Sequence, residues 1–223
     1  MFKWPRFKLV DMNTYARRDL YEHFLSFEIP VATRTIQLDV TRLWPYIRVN
    51  KYKFSLFFGF IIMRAANHVQ EFRLRIHDED LVEYDHVIPS FTVLSDDKRL
   101  FFSKGVFSDN FIQDYAENFD INKNAALGQE PNMNVLNHGQ VFISVNPWNR
   151  FTGLQFPYSH RYASMPTISI GMIYKDGDLL RVPFAIQTHH GLVDGFHMGQ
   201  FIKIIEDHLQ DPEKVFKSIS LDT

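Results

Sequence analysis

Cysteine is absent from the 223 residues, which excludes disulfides and thiolate metal ligands and suits a cytosolic setting. Excess charge of either sign is absent too. The net charge is −2 and the pI is near 6.5, so nothing points to nucleic acid or an anionic membrane as partner. Long hydrophobic runs are missing. Phe54–Met63 is apolar but too short to cross a bilayer, and Lys53 and Arg64 flank it. The start, Met1-Phe2-Lys3-Trp4-Pro5-Arg6, is basic but has no apolar core or small-residue cleavage site. There is no internal repeat, no low-complexity run and no interdomain linker. These absences leave one soluble, cytoplasmic domain over residues 1–223.

What is present is apolar and aromatic. Hydrophobic residues make up 45% of the chain and phenylalanine alone numbers 22, enough for a dense core or an extensive subunit interface. Periodicity predicts a helix over Asn13–Phe27, a strand over Thr33–Val40, a short helix over Thr41–Ile47 and a nearly all-apolar helix over Lys53–Val69. Phe72–Ile76 and Leu81–Tyr84 read as a hairpin, Val87–Leu94 as a strand and Phe107–Glu117 as a helix. Asn122–Gly139 has no period and reads as a long loop. Val141–Val145 is a strand. Pro166–Tyr174 and Leu179–Thr188 pair across Lys175-Asp176-Gly177-Asp178. Strands separated by long excursions predict an α/β domain, a mixed sheet covered by helices.

The rest of the chain is organised around Gln187–Phe201. Val182, Phe184 and Ile186 share one face of a strand that leads to His189 and His190. Gly195–Leu209 then reads as a helix, with Met198, Phe201, Ile202, Ile205 and Leu209 as its apolar stripe and Asp194 as its N-cap. Neighbouring residues on a strand face opposite ways, so His189 and His190 cannot both serve one site. His190 continues the Phe184–Ile186 parity, and a neutral imidazole on an apolar wall can take a proton near neutral pH. Asp194 can hold that imidazole or organise the turn. The plainer reading is a core histidine beside an ordinary cap. A metal set of His190, Asp194 and His197 fits by spacing, but no other compact cluster completes it, so no metal is expected.

His189-His190-Gly191-Leu192-Val193-Asp194-Gly195 resembles the His-His-x-x-x-Asp-Gly signature of the coenzyme-A-dependent acyltransferases, above all the trimeric chloramphenicol acetyltransferases. Phe142–Trp148 is similar to that family's Ser-x-x-Pro-Trp strand, and Gln37–Thr41 and Asn67–Arg73 match two framework stretches in order. Counting back from Gln37 sets Arg17 on the family's N-terminal arginine and Tyr15 on its tryptophan. The likeness spans nearly the whole chain.

The resemblance implies an α+β two-layer sandwich and acetyl-CoA as co-substrate. It implies His190 as general base toward a hydroxyl acceptor and Ser144 as hydroxyl donor to the oxyanion. An ion pair of Asp194 with Arg17 would support the turn that aims His190. A serine nucleophile is set aside, because no Gly-x-Ser-x-Gly elbow surrounds Ser144. The resemblance also implies a homotrimer with active sites at subunit boundaries. Phe24, Pro30, Phe101, Phe102 and Ser169 then fall at acceptor-pocket positions, and Trp148 and Tyr174 on the coenzyme side. The pattern departs at Pro30, where cysteine is common, at Phe102, where a small residue is usual, and at Met172 and Ile173, which replace a Lys-Tyr pair. These departures leave the reaction class intact and open the choice of acceptor, chloramphenicol or another small hydroxyl compound. A 2-oxo acid dehydrogenase acyltransferase core would need a lipoyl domain and linker, which this chain lacks. A non-catalytic binding protein on the same scaffold is opposed by the joint presence of Arg17, Ser144, His190 and Asp194.

Overall fold

In a computed structural model, the residues described are 4–105, 107, 115–127 and 139–217. In order they form β1 (Phe7–Leu9), α1 (Arg18–Leu25), β2 (Val31–Asp39), α2 (Leu43–Val49), α3 (Phe54–His68), β3 (Leu74–His77), β4 (Asp80–Tyr84), β5 (Ile88–Leu94), β6 (Leu100–Lys104), α4 (Ala116–Leu127), β7 (Gln140–Val145), β8 (Thr167–Ile170), β9 (Tyr174–Asp176), β10 (Leu179–His189), α5 (Gly195–Gln210) and α6 (Pro212–Lys217). The main sheet runs β2-β10-β8-β7-β5-β6, with β9 also on β10, and a small sheet runs β1-β4-β3. β5–β7 and β7–β8 are parallel while β10 is antiparallel to both neighbours, so the main sheet is mixed, as its crossovers require.

β10 is the spine of this sheet. Val182, Phe184 and Ile186 are fully buried on the face that also holds Ile143 and Ile168. Pro183 would weaken an ordinary central strand, since it cannot donate to the ladder. Here it falls in the gap between the residues paired with β9 and those paired with β8, and its carbonyl accepts from Gly171 N–H at 2.8 Å. The strand tolerates proline because no neighbour needs its missing donor at that point.

α3 and α5 pack on the same core. α3 buries residues all round, from Leu56 to Ala66, as its unbroken apolar run dictates. α5 buries Met198, Phe201, Ile205 and Leu209, while Ile202 is half-exposed. Phe201 stacks on Phe72 with ring centroids 4.2 Å apart. The opposite face of the sheet is set by strand alternation. It carries Phe142 and Ser144, Thr167 and Ser169, and Ala185 and Gln187.

Several expected boundaries shift. The first helix covers only Arg18–Leu25, because Asn13–Arg17 makes turns instead. The expected Phe107–Glu117 helix lies mostly outside the described residues. The helix that is described, α4, reaches Leu127, so Asn122–Leu127 is helical rather than loop; it anchors through Phe119, edge-on to Phe91 at 5.0 Å. The remainder of Asn122–Gly139 up to residue 138 lies outside the described residues. Sequence periodicity missed β1 and β6, edge strands of three and five residues. It also missed α6.

Phe201→Ala should cost about 3–5 kcal/mol, because a fully buried ring stacked on a second ring leaves a cavity that helix and sheet cannot close. Denaturant unfolding of the purified variant checks this; a loss under about 1 kcal/mol would show that the site collapses around the deletion.

Candidate active site

Where β10 stops, one residue's carbonyl holds the turn. His189 O accepts from both Leu192 and Val193 N–H at 3.0 Å. The His189 ring is buried and its Nδ1 accepts from Gly191 N–H at 3.2 Å. Burial, and then electrostatic coupling to the neighbouring His190 and His160 rings, push its pKa down to about 4. His189 is therefore the neutral, structural member of the pair.

His190 lies one residue past the strand, so strand parity no longer aims it as the alternation implied. Its N–H donates to Pro30 O at 2.8 Å, and its half-buried ring lies parallel to Phe24 at 4.1 Å. Nδ1 of His190 is buried with no hydrogen-bond partner among the described residues. Nε2 is then the nitrogen left for an incoming group. Beside this turn a cleft of about 740 Å³ opens between Phe27, Pro30, His77, His160, Ser164 and His189.

Asp194 caps α5. Its Oδ1 accepts from Phe196 N–H at 2.9 Å and more weakly from His197 N–H at 3.4 Å, and its Oδ2 accepts from Arg17 Nη1. Burial pushes the carboxyl up; the Arg17 guanidinium and the two N–H donors override it and hold the pKa at about 2. Among the described residues Asp194 makes no hydrogen bond to the His190 ring, which leaves it to organise the turn. Sequence reading did not single out two further members of this cluster, Glu71 and the role of His197. His197 Nδ1 is 2.9 Å from Asp194 Oδ1, and its Nε2 is 3.3 Å from Glu71 Oε1. The signal was present as a histidine at the third helical position, where a capping box usually has Glu or Gln.

The other site candidates lie elsewhere on the sheet. Ser144 pairs with Ser169, and Ser169 with Ala185, so one row crosses β7, β8 and β10. His190 is five residues further along β10 than Ala185. At about 3.3 Å per residue, with two strand spacings of about 4.8 Å, Ser144 and His190 of one chain are roughly 19 Å apart. A serine and a histidine side chain together reach less than half of that. Phe102 shares the face of Ser144, edge-on to Phe142 at 5.1 Å, whereas Phe101 alternates to the helix-covered face and lies buried under the Arg99 guanidinium at 5.6 Å. The adjacent pair therefore cannot line one pocket from one face. Trp148, past the end of β7, is 64% exposed. Tyr174 is fixed in β9, with its hydroxyl donating to Gln37 Oε1 at 3.0 Å and its ring under Arg150.

This fold, a mixed sheet covered by helices, is that of acyltransferases of known structure. A solved chloramphenicol acetyltransferase superposes with a TM-score of 0.84 at 23% identity, covering 92% of this chain and 100% of its own. A probable dihydrolipoamide acetyltransferase from Listeria monocytogenes superposes at 0.60 and 14% identity, covering 96% of this chain and 95% of its own. The family model described as chloramphenicol acetyltransferase matches residues 5–206. The chloramphenicol acetyltransferase of Proteus mirabilis is 30% identical over 91% of this chain and 94% of its own. The chain belongs to the chloramphenicol acetyltransferase family and is an acetyltransferase.

Acid should expose both shifted groups. The Asp194 carboxyl is depressed on folding, so its stabilisation is complete above the unfolded value near 3.9 and is lost as pH falls through about 2. The unfolded chain protonates His189 from about 6.5 downward while the native ring resists to about 4, so stability also falls across that window. Denaturant melts at stepped pH should show a flatter slope below pH 4 for Asp194→Asn and between 6.5 and 4 for His189→Gln; slopes equal to the parent protein's would remove the respective assignment.

Proposed function

We propose that this protein transfers the acetyl group of acetyl-CoA to a hydroxyl of chloramphenicol or a closely similar small molecule in the cytoplasm, as one acetyltransferase domain within a homotrimer. Family membership and the 30% identity to a protein named for that activity support the reaction. The single observation that carries the mechanism is the His190 ring, stacked on Phe24, with a buried Nδ1 that makes no hydrogen bond among the described residues.

For Nε2 to take a proton, the neutral ring must hold its own hydrogen on Nδ1. Nε2 then removes the proton of the acceptor hydroxyl as that oxygen attacks the thioester carbonyl. The carbonyl becomes an oxyanion, which the Ser144 hydroxyl stabilises. When the intermediate collapses the carbon–sulfur bond breaks, the coenzyme thiolate leaves, and the imidazolium returns the proton to it. General-base help of this type is worth ~10²–10⁴ in rate, and one oxyanion donor ~10²–10³. Phe24, Pro30, Phe102 and Ser169 would face the acceptor, with Trp148 and Tyr174 toward the coenzyme.

The roughly 19 Å between Ser144 and His190 of one chain excludes both from one carbonyl unless a second copy supplies the partner. The reading is therefore a heterologous subunit boundary with His190 from one chain and Ser144 from its neighbour. Phe102, beside Phe142 on the face of Ser144, takes up room there, which favours as second reading the same chemistry on a narrower hydroxyl acceptor.

Thiol release measured with acetyl-CoA and chloramphenicol tests the acceptor; turnover of other small alcohols without chloramphenicol turnover selects the second reading. His190→Ala and Ser144→Ala should each lose at least ~10²-fold in kcat while staying folded. Co-expressed one to one, the two inactive variants should recover roughly a quarter of parental activity, because random mixing unites an intact histidine with a neighbour's intact serine at one boundary in four. No recovery would place both groups in one chain and sink the shared site.

A further inference from the structure

The turn that carries His190 is tied to the body of the protein through a second residue pair. His197 opens α5 and its ring is buried. Its Nδ1 lies 3.4 Å from Asp194 N and 3.3 Å from Arg17 Nη1. Its Nε2 lies 3.3 Å from Oε1 of Glu71. Glu71 stands in the 3-10 turn Gln70–Arg73, which links α3 to β3 and whose Phe72 stacks on Phe201. Glutamate at this helical position would close the capping box but has no hydrogen to donate to a second carboxylate. A neutral imidazole carries one acceptor and one donor nitrogen on a rigid ring and can do both. With its hydrogen on Nε2 toward Glu71, Nδ1 accepts from Asp194 N–H and Arg17. With a second proton, Nδ1 donates instead to Asp194 Oδ1 at 2.9 Å. In either state the ring spans the two carboxylates.

We propose that His197 and Glu71 are positioning residues for acetyl transfer: bridged to each other, they fix Asp194, and through the four-residue turn they fix the ring of His190. The proposal rests on the reading of His190 as the base. An error of about 1 Å at a reacting atom is enough to cost up to ~10²-fold in rate even when its source is remote from the chemistry. An ordinary helix cap would lower stability alone.

The test uses the full chain carrying Glu71→Met, His197→Glu, and both. Glu71→Met keeps the side-chain length at a half-buried position but has no oxygen to accept from His197, and His197→Glu keeps a capping-box side chain but has no hydrogen for Glu71, so the variants should fold. Acetyl transfer by the parent protein is measured first; its absence would remove the proposed reaction and leave the following substrate-free measurement to decide on the bridge. That measurement is the carbethoxylation rate of His190 by diethyl pyrocarbonate, read by mass spectrometry. Each single variant should change this rate at least about threefold and lower kcat about tenfold, with both KM values within about twofold. The double variant should be no worse than the worse single, since both remove one link. A His190 modification rate equal to the parent's, whatever happens to Tm, or losses that add in the double variant, would overturn the bridge.

Discussion

The carboxylate of Asp194 decides where β10 ends and α5 begins. Its oxygens gather two backbone N–H groups and the Arg17 guanidinium. A half-buried carboxylate with that many donors is worth more than a surface ion pair, because removing any partner leaves desolvated charge behind. The interaction also joins distant parts of the chain. Arg17 precedes α1, Asp194 follows β10, and Phe24 on α1 forms the shelf against which the His190 ring lies. Placing α1 through the ion pair therefore places the aromatic surface that orients the imidazole. The Pro30 carbonyl, at the start of β2, completes the seat by accepting from His190 N–H.

The two adjacent histidines divide the work by burial. His189 gives its carbonyl and its Nδ1 to the turn, and its pKa of about 4 keeps it neutral across the physiological range. A charged ring there would break the bond from Gly191 N–H, because a doubly protonated imidazole has no acceptor left. His190, released from the strand, lies half-buried against the ring of Phe24. One residue of sequence separates a structural imidazole from the proposed base, and the end of the β10 ladder falls between them.

Much of this was legible in the sequence. The apolar parity of Val182, Phe184 and Ile186, the Asp194 cap and the stripe of α5 all follow from local periodicity, and the structure reproduces each. The Arg17–Asp194 pair came from the family resemblance, since no local rule joins residues 177 apart in sequence. What stayed hidden was tertiary. Glu71 enters the cluster only because Phe72 stacks on Phe201 and brings its turn beside α5. The separation of Phe101 from Phe102 needed the register of β6 against β5, and β6 itself is a short edge strand whose adjacent phenylalanines break simple alternation. α4 has few large apolar residues and reads as loop until Phe119 finds Phe91.

The sheet also fixes how far apart the proposed base and the proposed oxyanion donor of one chain lie. α3 and α5 pack on the face that carries Ile143, Ile168 and Phe184, and strand alternation sends Ser144 and Ser169 to the other face. His190 leaves β10 at the end where β8 begins, whereas Ser144 lies on β7 toward the end where β8 finishes. No side-chain motion closes a gap set by strand registry, since slipping β7 by one residue would also turn Val141 and Ile143 out of the core. The rigidity that stabilises the sheet thus keeps the proposed base and the proposed oxyanion donor of one chain apart, and the proposed subunit boundary would supply each with its counterpart from a second chain. In that proposed arrangement the acceptor pocket would take residues from both sides of a boundary, Phe24 and Pro30 travelling with the histidine and Phe102 with the serine, so the choice of acceptor would depend on subunit packing as much as on any one side chain.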